Sequence, residues 1–365
     1  MSEGIDPLLD SLRLGLIEGD GIGPEIVRAT REVVDDAFDG LKLPKVEWVP
    51  LLIGHAAIEE FGDPVPEPTF QALAELPAWI MGPHDSASYA VEHRTGLPPA
   101  GAVRKRFGMY ANIRPARTME GVRSVAPAMD LLIMRENTEG LYADRNMAAG
   151  SGEFQPSRDV ALAVGVFTRA AIERIAHLGF EIASERDKRV TIVHKANVLP
   201  MTMGMFRDVC YEVAKQYPEI TVIDEHVDAA AAHLVRAPQD YDVIVTENLC
   251  GDILSDLAGE LSGSLGMAAS VNCSDTQIMA QAVHGAAPTL AGHNRANPVA
   301  LFNSAAGMLR WMGRTQRYSA LRRVGERIEH AVADTLRAGV ATGDLGGLAS
   351  TTEFTEQVRA RLHRW

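Results

Sequence analysis

At 365 residues, the chain is longer than one compact domain usually is, so about two domains are expected. Its composition, 46% hydrophobic and 23% charged, is that of a globular protein with ample material for a core. The formal net charge of -13 argues against general nucleic-acid binding and gives no support to binding an anionic membrane surface.

Short apolar segments alternate with helical patterns along the chain. Residues 12–17 (LRLGLI) lead into a helical pattern over residues 24–38, which begins at Pro24, a residue suited to a first helical turn. Strand-like segments follow at AWIMG, MDLLIMRE, RVTIVHKANVL and DVIVTENL, and GDILSDLAGEL begins another helix. This alternation predicts an α/β protein built around a parallel or mixed sheet.

The segment Gly19-Asp20-Gly21-Ile22-Gly23 follows a strand and opens a helix, as a dinucleotide-binding loop does. The glycine spacing is wrong for that motif, because Pro24 stands where the third glycine is needed. No acidic residue ends a convincing second strand at the required distance. We therefore expect no Rossmann site here, although the glycines indicate a tight backbone turn.

Two segments, residues 85–99 and 143–158, lack clear periodicity and are predicted to be loops. Arg104 and Arg114 lie in VRKRFGMYANIRP, between the first of these loops and the next strand, and Arg135 lies at the end of that strand. A guanidinium offers a planar fork for bidentate carboxylate binding, so the three together suit a di- or tricarboxylate. Taken singly, each is more often a surface ion-pair residue.

Two residues are candidates for proton transfer. Tyr142 follows a glycine shortly after Arg135, and Lys195 directly follows an apolar strand. A lysine near metal and carboxylates can relay a proton from a hydroxyl, and a tyrosine can donate one to a carbanion-like carbon. The residues by themselves leave open a solvated strand-end lysine and a rim aromatic.

Asp252 and Asp256 are four residues apart in GDILSDL, which places their carboxylates on one face of a helix. Like charges at this spacing repel each other, so something should offset them. A divalent cation such as Mg²⁺ or Mn²⁺ would do so, with Asp228 as a candidate third ligand. The alternative is a pair of solvated surface acids, although Leu254 and Leu257 imply one buried helix face, and Ile253 implies that the helix is not exposed all round.

Three cysteines, Cys210, Cys250 and Cys273, are too few to pair completely and stand at no metal-ligand spacing. They are expected to be buried free thiols in a reducing cytoplasm. We expect no secretory signal, because the first residues lack a basic start followed by an apolar run, and no membrane-spanning stretch. A soluble intracellular protein is therefore predicted.

In combination and order, these motifs resemble the β-decarboxylating dehydrogenases, which act on isopropylmalate, isocitrate, homoisocitrate, tartrate or D-malate. The matching segments are EGDGIGPEI, VRKRFGMYANIRP, RENTEGLY, HKANVL, VDAAAAHL, ENLCGDILSDLAGELSGSLG and HGAAPTLAGHNRANP. The resemblance implies an isopropylmalate dehydrogenase-like two-domain α/β fold with a mixed sheet, and not a Rossmann fold of the usual kind. Residues 1–109 plus 263–365 would form a large cofactor-binding domain. Residues 110–262 would form a small domain with the dimer interface and much of the substrate and metal site.

The resemblance also implies a role for each candidate residue. The substrate would be bound by Arg104, Arg114, Arg135 and Asn197. Tyr142, Lys195 and Asp228 would be catalytic, and Mg²⁺ or Mn²⁺ would be held by Asp228, Asp252 and Asp256. Lys195 and Asp228 would reach the site from the neighbouring subunit of a homodimer. The nicotinamide cofactor would bind at His284, Gly285, Ala286, Ala287, Thr289 and Asn297.

The sequence departs from the family pattern at Thr289. NAD-dependent relatives commonly have an aspartate there, and NADP-dependent ones a lysine followed by a tyrosine. With Thr289 and Leu290 the chain has neither pattern, so NAD is expected. NADP stays the alternative, with its 2′-phosphate contacted by Arg295 or His293.

A second departure lies ahead of Arg104, where isocitrate-type enzymes have Ser and Asn and isopropylmalate-type enzymes have leucines. Pro98, Ala100 and Gly101 offer no hydrogen bond to the third carboxylate of isocitrate. Burying that carboxylate unpaired would cost several kcal/mol of binding free energy, unless His93, Arg94 or Arg106 turns towards it. RENTEGLY is nevertheless closer to the isocitrate, tartrate and malate branches. The first expectation is 3-isopropylmalate or a similar 3-alkylmalate, with isocitrate, homoisocitrate, tartrate and D-malate as alternatives. A non-catalytic regulatory subunit of a hetero-oligomer is the alternative of another class.

Overall fold

The structure, a computed structural model, describes residues 12–94, 96–142, 152–315 and 318–362. Its β-strands, in chain order, are β1 (Arg13–Ile17), β2 (Glu47–Leu51), β3 (Ala78–Met81), β4 (Ala111–Arg117), β5 (Asp130–Glu136), β6 (Glu153–Ser157), β7 (Val160–Ala163), β8 (Arg189–His194), β9 (Thr221–His226), β10 (Val243–Thr246), β11 (Val271–Cys273) and β12 (Ile278–Gln281).

The α-helices, in the same order, are α1 (Gly23–Gly40), α2 (His55–Phe61), α3 (Glu67–Ala74), α4 (Pro99–Arg106), α5 (Arg169–Ser184), α6 (Thr202–Ala214), α7 (Val227–Arg236), α8 (Asn248–Ser262), α9 (Val299–Thr315), α10 (Ser319–Arg337) and α11 (Thr351–Leu362). Pro24 stands in the first turn of α1, as the sequence predicted. In the described part of the chain, no helix is both long and apolar enough to cross a membrane.

The chain divides into two compact units. Of the described residues, unit 1 comprises those up to Phe107, Met119–Arg123 and those from Gly263 onward. Unit 2 comprises Gly108–Thr118 and Ser124–Ser262. The cofactor-binding and dimer-forming roles assigned to residues 1–109 plus 263–365 and to residues 110–262 stay predictions.

Unit 1 contains a mixed sheet in the order β2-β1-β3-β12-β11. The strands β1, β2, β3 and β12 are parallel, and β11 is antiparallel to β12. The central strands β3 and β12 are buried along their whole length. Such all-apolar parallel strands are covered on both faces, so their carboxyl ends are where unit 1 can expose functional side chains.

Unit 2 contains five sheet strands in the order β4-β5-β10-β8-β9, with β4 antiparallel to β5 and the other pairs parallel. Its core joins Leu131 and Ile133 of β5, Ile244 of β10 and Leu254 of α8. Leu254 is fully buried, which confirms the predicted apolar face of that helix, whereas the preceding residue, Ile253, is 58% exposed.

The predicted loop over residues 143–158 is wrong in its second half. Residues 143–151 lie outside the described residues, but Glu153–Ser157 forms β6 and pairs antiparallel with β7. Every residue of both strands is exposed, so no buried face gave the segment the alternation of an ordinary strand. The other predicted loop, residues 85–99, is irregular apart from two short 3-10 turns and the start of α4; Thr95 within it is not described.

Candidate active site

Four of the predicted site residues of unit 2 meet at one point of its sheet. Arg114 lies on β4 and Arg135 on β5, and these strands are neighbours. The next strand, β10, leads directly into α8, whose first turns carry Asp252 and Asp256. The order of the strands therefore brings two guanidiniums against two carboxylates.

Arg114 bridges the two aspartates. Its Nη1 lies 3.1 Å from Oδ1 of Asp252 and 3.2 Å from Oδ1 of Asp256. The same nitrogen donates to Oγ of Ser255 at 2.6 Å, and Nε donates to Oδ1 of Asn112 at 2.6 Å. Arg114 thus offsets the repulsion that the spacing of the two carboxylates implied.

Arg135 and Tyr142 complete the cluster around Asp252. Nη1 of Arg135 and the hydroxyl of Tyr142 donate to the two carboxylate oxygens of Asp252. Nε of Arg135 is fixed by Oδ1 of Asn248 at 2.8 Å, and its guanidinium carbon lies 5.5 Å from the centre of the Tyr142 ring. Each donor is held by a second contact, so the cluster is preorganised.

The charges of the cluster sit in a partly dry environment. The side chains of Arg114 and Arg135 are only 7% and 3% exposed. Burial, together with the charge of Arg135, lowers the pKa of Arg114 to about 10. Burial also raises the pKa of Asp256, against the opposing pull of Arg114. Two confined positive charges close to a solvent-accessible carboxylate pair suit a ligand that carries carboxylates of its own.

Lys195 and Asp228 form a separate ion pair in unit 2. Lys195 follows β8, Asp228 lies in the first turn of α7, and Nζ of Lys195 bonds to Oδ1 of Asp228. The hydrogen bond from Lys195 lowers the pKa of Asp228. Asn197 lies exposed in the turn after Lys195.

The side chains of Asp252 and Asp256 fit a hard divalent cation. Asp252 and Asp256 offer carboxylate oxygens one helical turn apart, and Mg²⁺ is commonly bound through one or two carboxylates plus water and substrate. Within the residues that the structure describes, no three His, Cys, Asp or Glu side chains gather as a metal site. Asp228 is thus not grouped with the other two aspartates in the single chain.

In unit 1, Arg104 lies on α4, where its Nη2 donates to Oε1 of Gln281 at the end of β12, at 3.0 Å. The loop after β12 contains the predicted cofactor residues. The backbone N–H of Ile22 donates to the carbonyl of Ala286 at 2.8 Å, so the Gly19–Gly23 turn packs against this loop. The turn anticipated from the glycines therefore supports the loop through its backbone.

The remaining cofactor candidates are partly ordered by protein contacts. Burial lowers the pKa of His284, and its Nε2 is buried with no hydrogen-bond partner among the described residues. Nδ2 of Asn297 donates to Oδ2 of Asp344 at 2.9 Å, while Thr289 is exposed in the turn Pro288–Leu290. An orphaned imidazole nitrogen in this loop fits a polar ligand such as a dinucleotide.

The sequence interpretation missed Asp20, because only the glycines of its motif were considered. The buried Asp20 carboxylate accepts from the backbone N–H of His55 at 2.8 Å, from that of Asp85 at 2.9 Å, and from the hydroxyl of Tyr89 at 2.5 Å. It thereby ties together the segments that follow β1, β2 and β3. An acid at the carboxyl end of a parallel strand was the signal available.

Comparison with known proteins assigns the chain. The family model described as isocitrate/isopropylmalate dehydrogenase matches residues 13–358. The fold and this match define an oxidoreductase that acts on a CH–OH group. The chain belongs to the isocitrate/isopropylmalate dehydrogenase family, which confirms the predicted resemblance, fold and enzyme class.

Relatives named for different activities are similar to this chain to a comparable degree. The 3-isopropylmalate dehydrogenase of Archaeoglobus fulgidus is 39% identical over 351 residues, which cover 96% of this chain and 99% of the relative. The isocitrate/homoisocitrate dehydrogenase of Thermus thermophilus is 42% identical over 347 residues, or 95% and 97% of the two chains. The crystal structure of isocitrate dehydrogenase from Methylococcus capsulatus matches with a TM-score of 0.85 and 35% identity, over 96% of this chain and 99% of that one.

Proposed function

We propose that the chain oxidises and decarboxylates a 3-substituted malate, with NAD as hydride acceptor and Mg²⁺ or Mn²⁺ as the metal. The observation that carries the proposal is the cluster in which Arg114, Arg135 and Tyr142 converge on Asp252. A pair of buried guanidiniums binds and orients carboxylates, and the neighbouring aspartates offer oxygen ligands to a cation.

The metal, when bound by Asp252 and Asp256, supplies Lewis-acid stabilisation of negative charge that develops on a substrate oxygen. Arg114 and Arg135 orient the malate carboxylates. Lys195 and Asp228 together remove the proton of the 2-hydroxyl: the ammonium of Lys195 passes a proton to Asp228, and its Nζ then accepts the proton of the hydroxyl. Tyr142 holds a proton on its hydroxyl oxygen for delivery to carbon after carbon dioxide leaves.

Among substrates, a 3-alkylmalate of the isopropylmalate type stays the first candidate. Two cations that could have met a third carboxylate are occupied. Nη2 of Arg106 pairs with Oε1 of Glu67 at 3.1 Å, and Nε of Arg94 donates to the carbonyl of Tyr89 at 2.6 Å. Without them, only His93 of the three expected partners is left for the third carboxylate of isocitrate or homoisocitrate.

A spectrophotometric screen tests the reaction and the substrate together. Isopropylmalate, isocitrate, homoisocitrate, tartrate and D-malate are each offered with NAD and with NADP, in Mg²⁺ or Mn²⁺ and in EDTA. We expect metal-dependent nucleotide reduction that is fastest with isopropylmalate. Turnover that resists EDTA would refute the mechanism, and binding of metal and substrate without turnover would favour a regulatory subunit.

For the cofactor, we propose NAD first and test NADP beside it. The loop has no acid at Thr289, and Arg295 and His293 are exposed. A Thr289→Asp substitution places a carboxylate there, which repels a 2′-phosphate. We expect the variant to raise KM for NADP at least about 10-fold more than KM for NAD.

We infer a homodimer in which Lys195 and Asp228 serve the site of the partner. Unit 2 exposes large apolar side chains of the hairpin β6–β7 and of α7 and α8, with exposed fractions from 43% to 58%: Phe154, Val160, Leu162, Val235 and Ile253. Several large apolar side chains exposed in one unit are typical of an interface. A Leu162→Asp substitution should therefore shift the protein towards monomers in analytical ultracentrifugation.

Mixing two inactive variants tests whether the dimer shares its sites. A mixed dimer of Lys195→Ala and Asp256→Asn chains has one site with both native residues if Lys195 acts across the interface. Since half of the dimers in a random mixture are mixed and one of their two sites is intact, about a quarter of wild-type activity should return. No recovery after verified subunit exchange would place Lys195 in the site of its own chain.

We also propose a cytoplasmic location. Cys210, Cys250 and Cys273 are all free and buried, as the sequence predicted, and unpaired thiols persist in reducing compartments. Cell fractionation with the tagged full-length chain is the direct test; recovery in an oxidising compartment would contradict it.

A further inference from the structure

The residue before Lys195 is a buried histidine that the proposed mechanism does not use. His194 is the last residue of β8, and its exposed fraction is zero. It lies opposite His226, the last residue of β9, in parallel register. The two imidazole rings are 5.4 Å apart and nearly perpendicular.

Both ring nitrogens of His194 are engaged. Nδ1 lies 3.0 Å from the backbone nitrogen of Ala196, and Nε2 lies 2.9 Å from Oδ2 of Asp224. A backbone N–H can only donate, so Nδ1 must be the acceptor and the ring proton must reside on Nε2, where it is donated to Asp224. The contacts therefore specify one tautomer.

Asp224 is in turn held from a neighbouring helix. The hydroxyl of Tyr211 on α6 donates to its Oδ1 at 2.6 Å. Burial lowers the pKa of His194, which favours the neutral ring. Burial works against the charged form of Asp224, yet the hydrogen bonds from Tyr211 and His194 hold its pKa below the usual range. The set is a fixed chain of tyrosine, carboxylate and neutral imidazole.

These contacts fix the backbone on both sides of Lys195. The His194 ring is hydrogen-bonded to Asp224 of β9, and its Nδ1 accepts a hydrogen bond from the backbone N–H of Ala196, one residue beyond Lys195. The carbonyl of Lys195 accepts from the N–H of Val198 at 3.1 Å and from that of Leu199 at 2.9 Å. Since a lysine side chain has four flexible carbons, a fixed backbone is what sets the direction in which it leaves the chain.

The residue after Asp224 acts on the other member of the ion pair. Glu225 accepts hydrogen bonds from Nδ1 of His233, which lies on α7, and from the hydroxyl of Tyr241, the latter at 2.5 Å. Successive side chains of a strand point to opposite faces, so β9 can hold both groups at once. Asp228 is in the first turn of the helix that Glu225 anchors.

We propose that His194, oriented by Asp224, is a positioning residue that aims Nζ of Lys195 at the substrate hydroxyl. This inference rests on the proposed catalytic role of Lys195. His194 touches no reacting atom itself; it acts by fixing the peptide groups around Lys195. Its loss should therefore lower kcat and leave the carboxylate-binding arginines, and hence KM, largely unchanged.

Two substitutions separate the two hydrogen bonds of the ring. His194→Asn keeps an acceptor near the position of Nδ1 and loses the link to Asp224. His194→Gln keeps a donor near the position of Nε2 and loses the acceptor for the Ala196 amide. We expect kcat to fall about 10-fold or more in His194→Gln and less than about 3-fold in His194→Asn, with KM changed less than about 3-fold in both.

His177→Gln is the matched control. Nδ1 of His177 lies 3.1 Å from the hydroxyl of Tyr217 in the same unit, so this substitution, like His194→Gln, removes a hydrogen bond made by Nδ1 of a histidine ring. It should leave kcat unchanged. With substrate deuterated at C2, the isotope effect on kcat should change in His194→Gln and not in His177→Gln, because only misalignment of the lysine alters the chemical step.

Equal kcat values for His194→Gln and His177→Gln, or equal loss in both His194 variants with an unchanged isotope effect, would overturn the proposal. If the wild type turns over no malate, the proposed function fails by itself. Crystal structures of the two His194 variants then decide the positioning role. The contact between Nζ of Lys195 and Asp228 must persist in the Asn variant and be lost in the Gln variant.

Discussion

Replacement of Gly21 by alanine tests the support that the Gly19–Gly23 turn gives to the loop after β12. Gly21 has φ +59, and a β-carbon at this position would lie 2.1 Å from the carbonyl oxygen of Ala286. The neighbouring N–H of Ile22 donates to that same oxygen. The substitution therefore strains the turn and pushes away the loop that it supports.

The expected cost is the sum of two effects. Alanine in the left-handed region costs about 1 kcal/mol. To relieve the overlap, the Ala286 carbonyl must retreat by about 1 Å, which breaks the hydrogen bond from Ile22 and leaves buried groups unpaired, for roughly 2 kcal/mol more. The free energy of unfolding should fall by about 3 kcal/mol in total.

Two other glycines separate these effects. Gly292 has φ +75 but nothing within 4 Å of an added β-carbon, so Gly292→Ala isolates the backbone cost of about 1 kcal/mol. Gly285 has neither a positive φ nor a close neighbour, and Gly285→Ala should leave stability nearly unchanged. Denaturant unfolding of the three variants gives the comparison, and cofactor titration should show that Gly21→Ala also weakens nucleotide binding. If Gly21→Ala is no less stable than Gly292→Ala, the close approach to Ala286 is absent and the reasoning fails.

Three further predictions address single side chains. Burial lowers the pKa of His84 to about 4. As the pH falls below 6.5, the histidine is therefore protonated in the unfolded chain before it is protonated in the folded one, which favours unfolding. Between pH 7.5 and pH 5 the wild type should lose about 2 kcal/mol more of its free energy of unfolding than His84→Gln, measured by denaturant unfolding. The buried Asp242 accepts a hydrogen bond from Nε of Arg186 at 2.7 Å, so Asp242→Asn should lower the free energy of unfolding by about 3 kcal/mol. Asp187→Asn, at an exposed carboxylate, is the control and should lower it by less than about 0.5 kcal/mol. Equal shifts in melting temperature for the two variants would contradict this. Tyr142→Phe should lower kcat about 100-fold or more without lowering stability, and a kcat close to wild type would remove Tyr142 from the mechanism.

Much of the fold could be predicted from the sequence because periodicity is a local property. The apolar run before Gly19 and the helical spacing after it are visible within a few residues, and β1 and α1 form there. The same holds for the buried face of α8, marked by Leu254. The hairpin β6–β7 was not predicted, because its residues are exposed and only the pairing of the two strands with each other defines them as strands.

The candidate residues were named from the sequence, but their grouping was decided by the tertiary structure. Arg135, Tyr142 and Arg114 contact Asp252 or Asp256 across separations of 117, 110 and 142 residues. The order β4-β5-β10 and the turn into α8 create these contacts, and no local pattern encodes a strand order.

The sequence alone determined which side chains are available and the chemistry that they permit: carboxylates at helical spacing, arginines beside strands, and a lysine after a buried strand. Only the tertiary structure decided that Arg114 offsets the two aspartates and that His194 holds the backbone around Lys195. The physical reason is that charge compensation and hydrogen bonding act over a few ångströms in space, whereas sequence patterns register only neighbours along the chain.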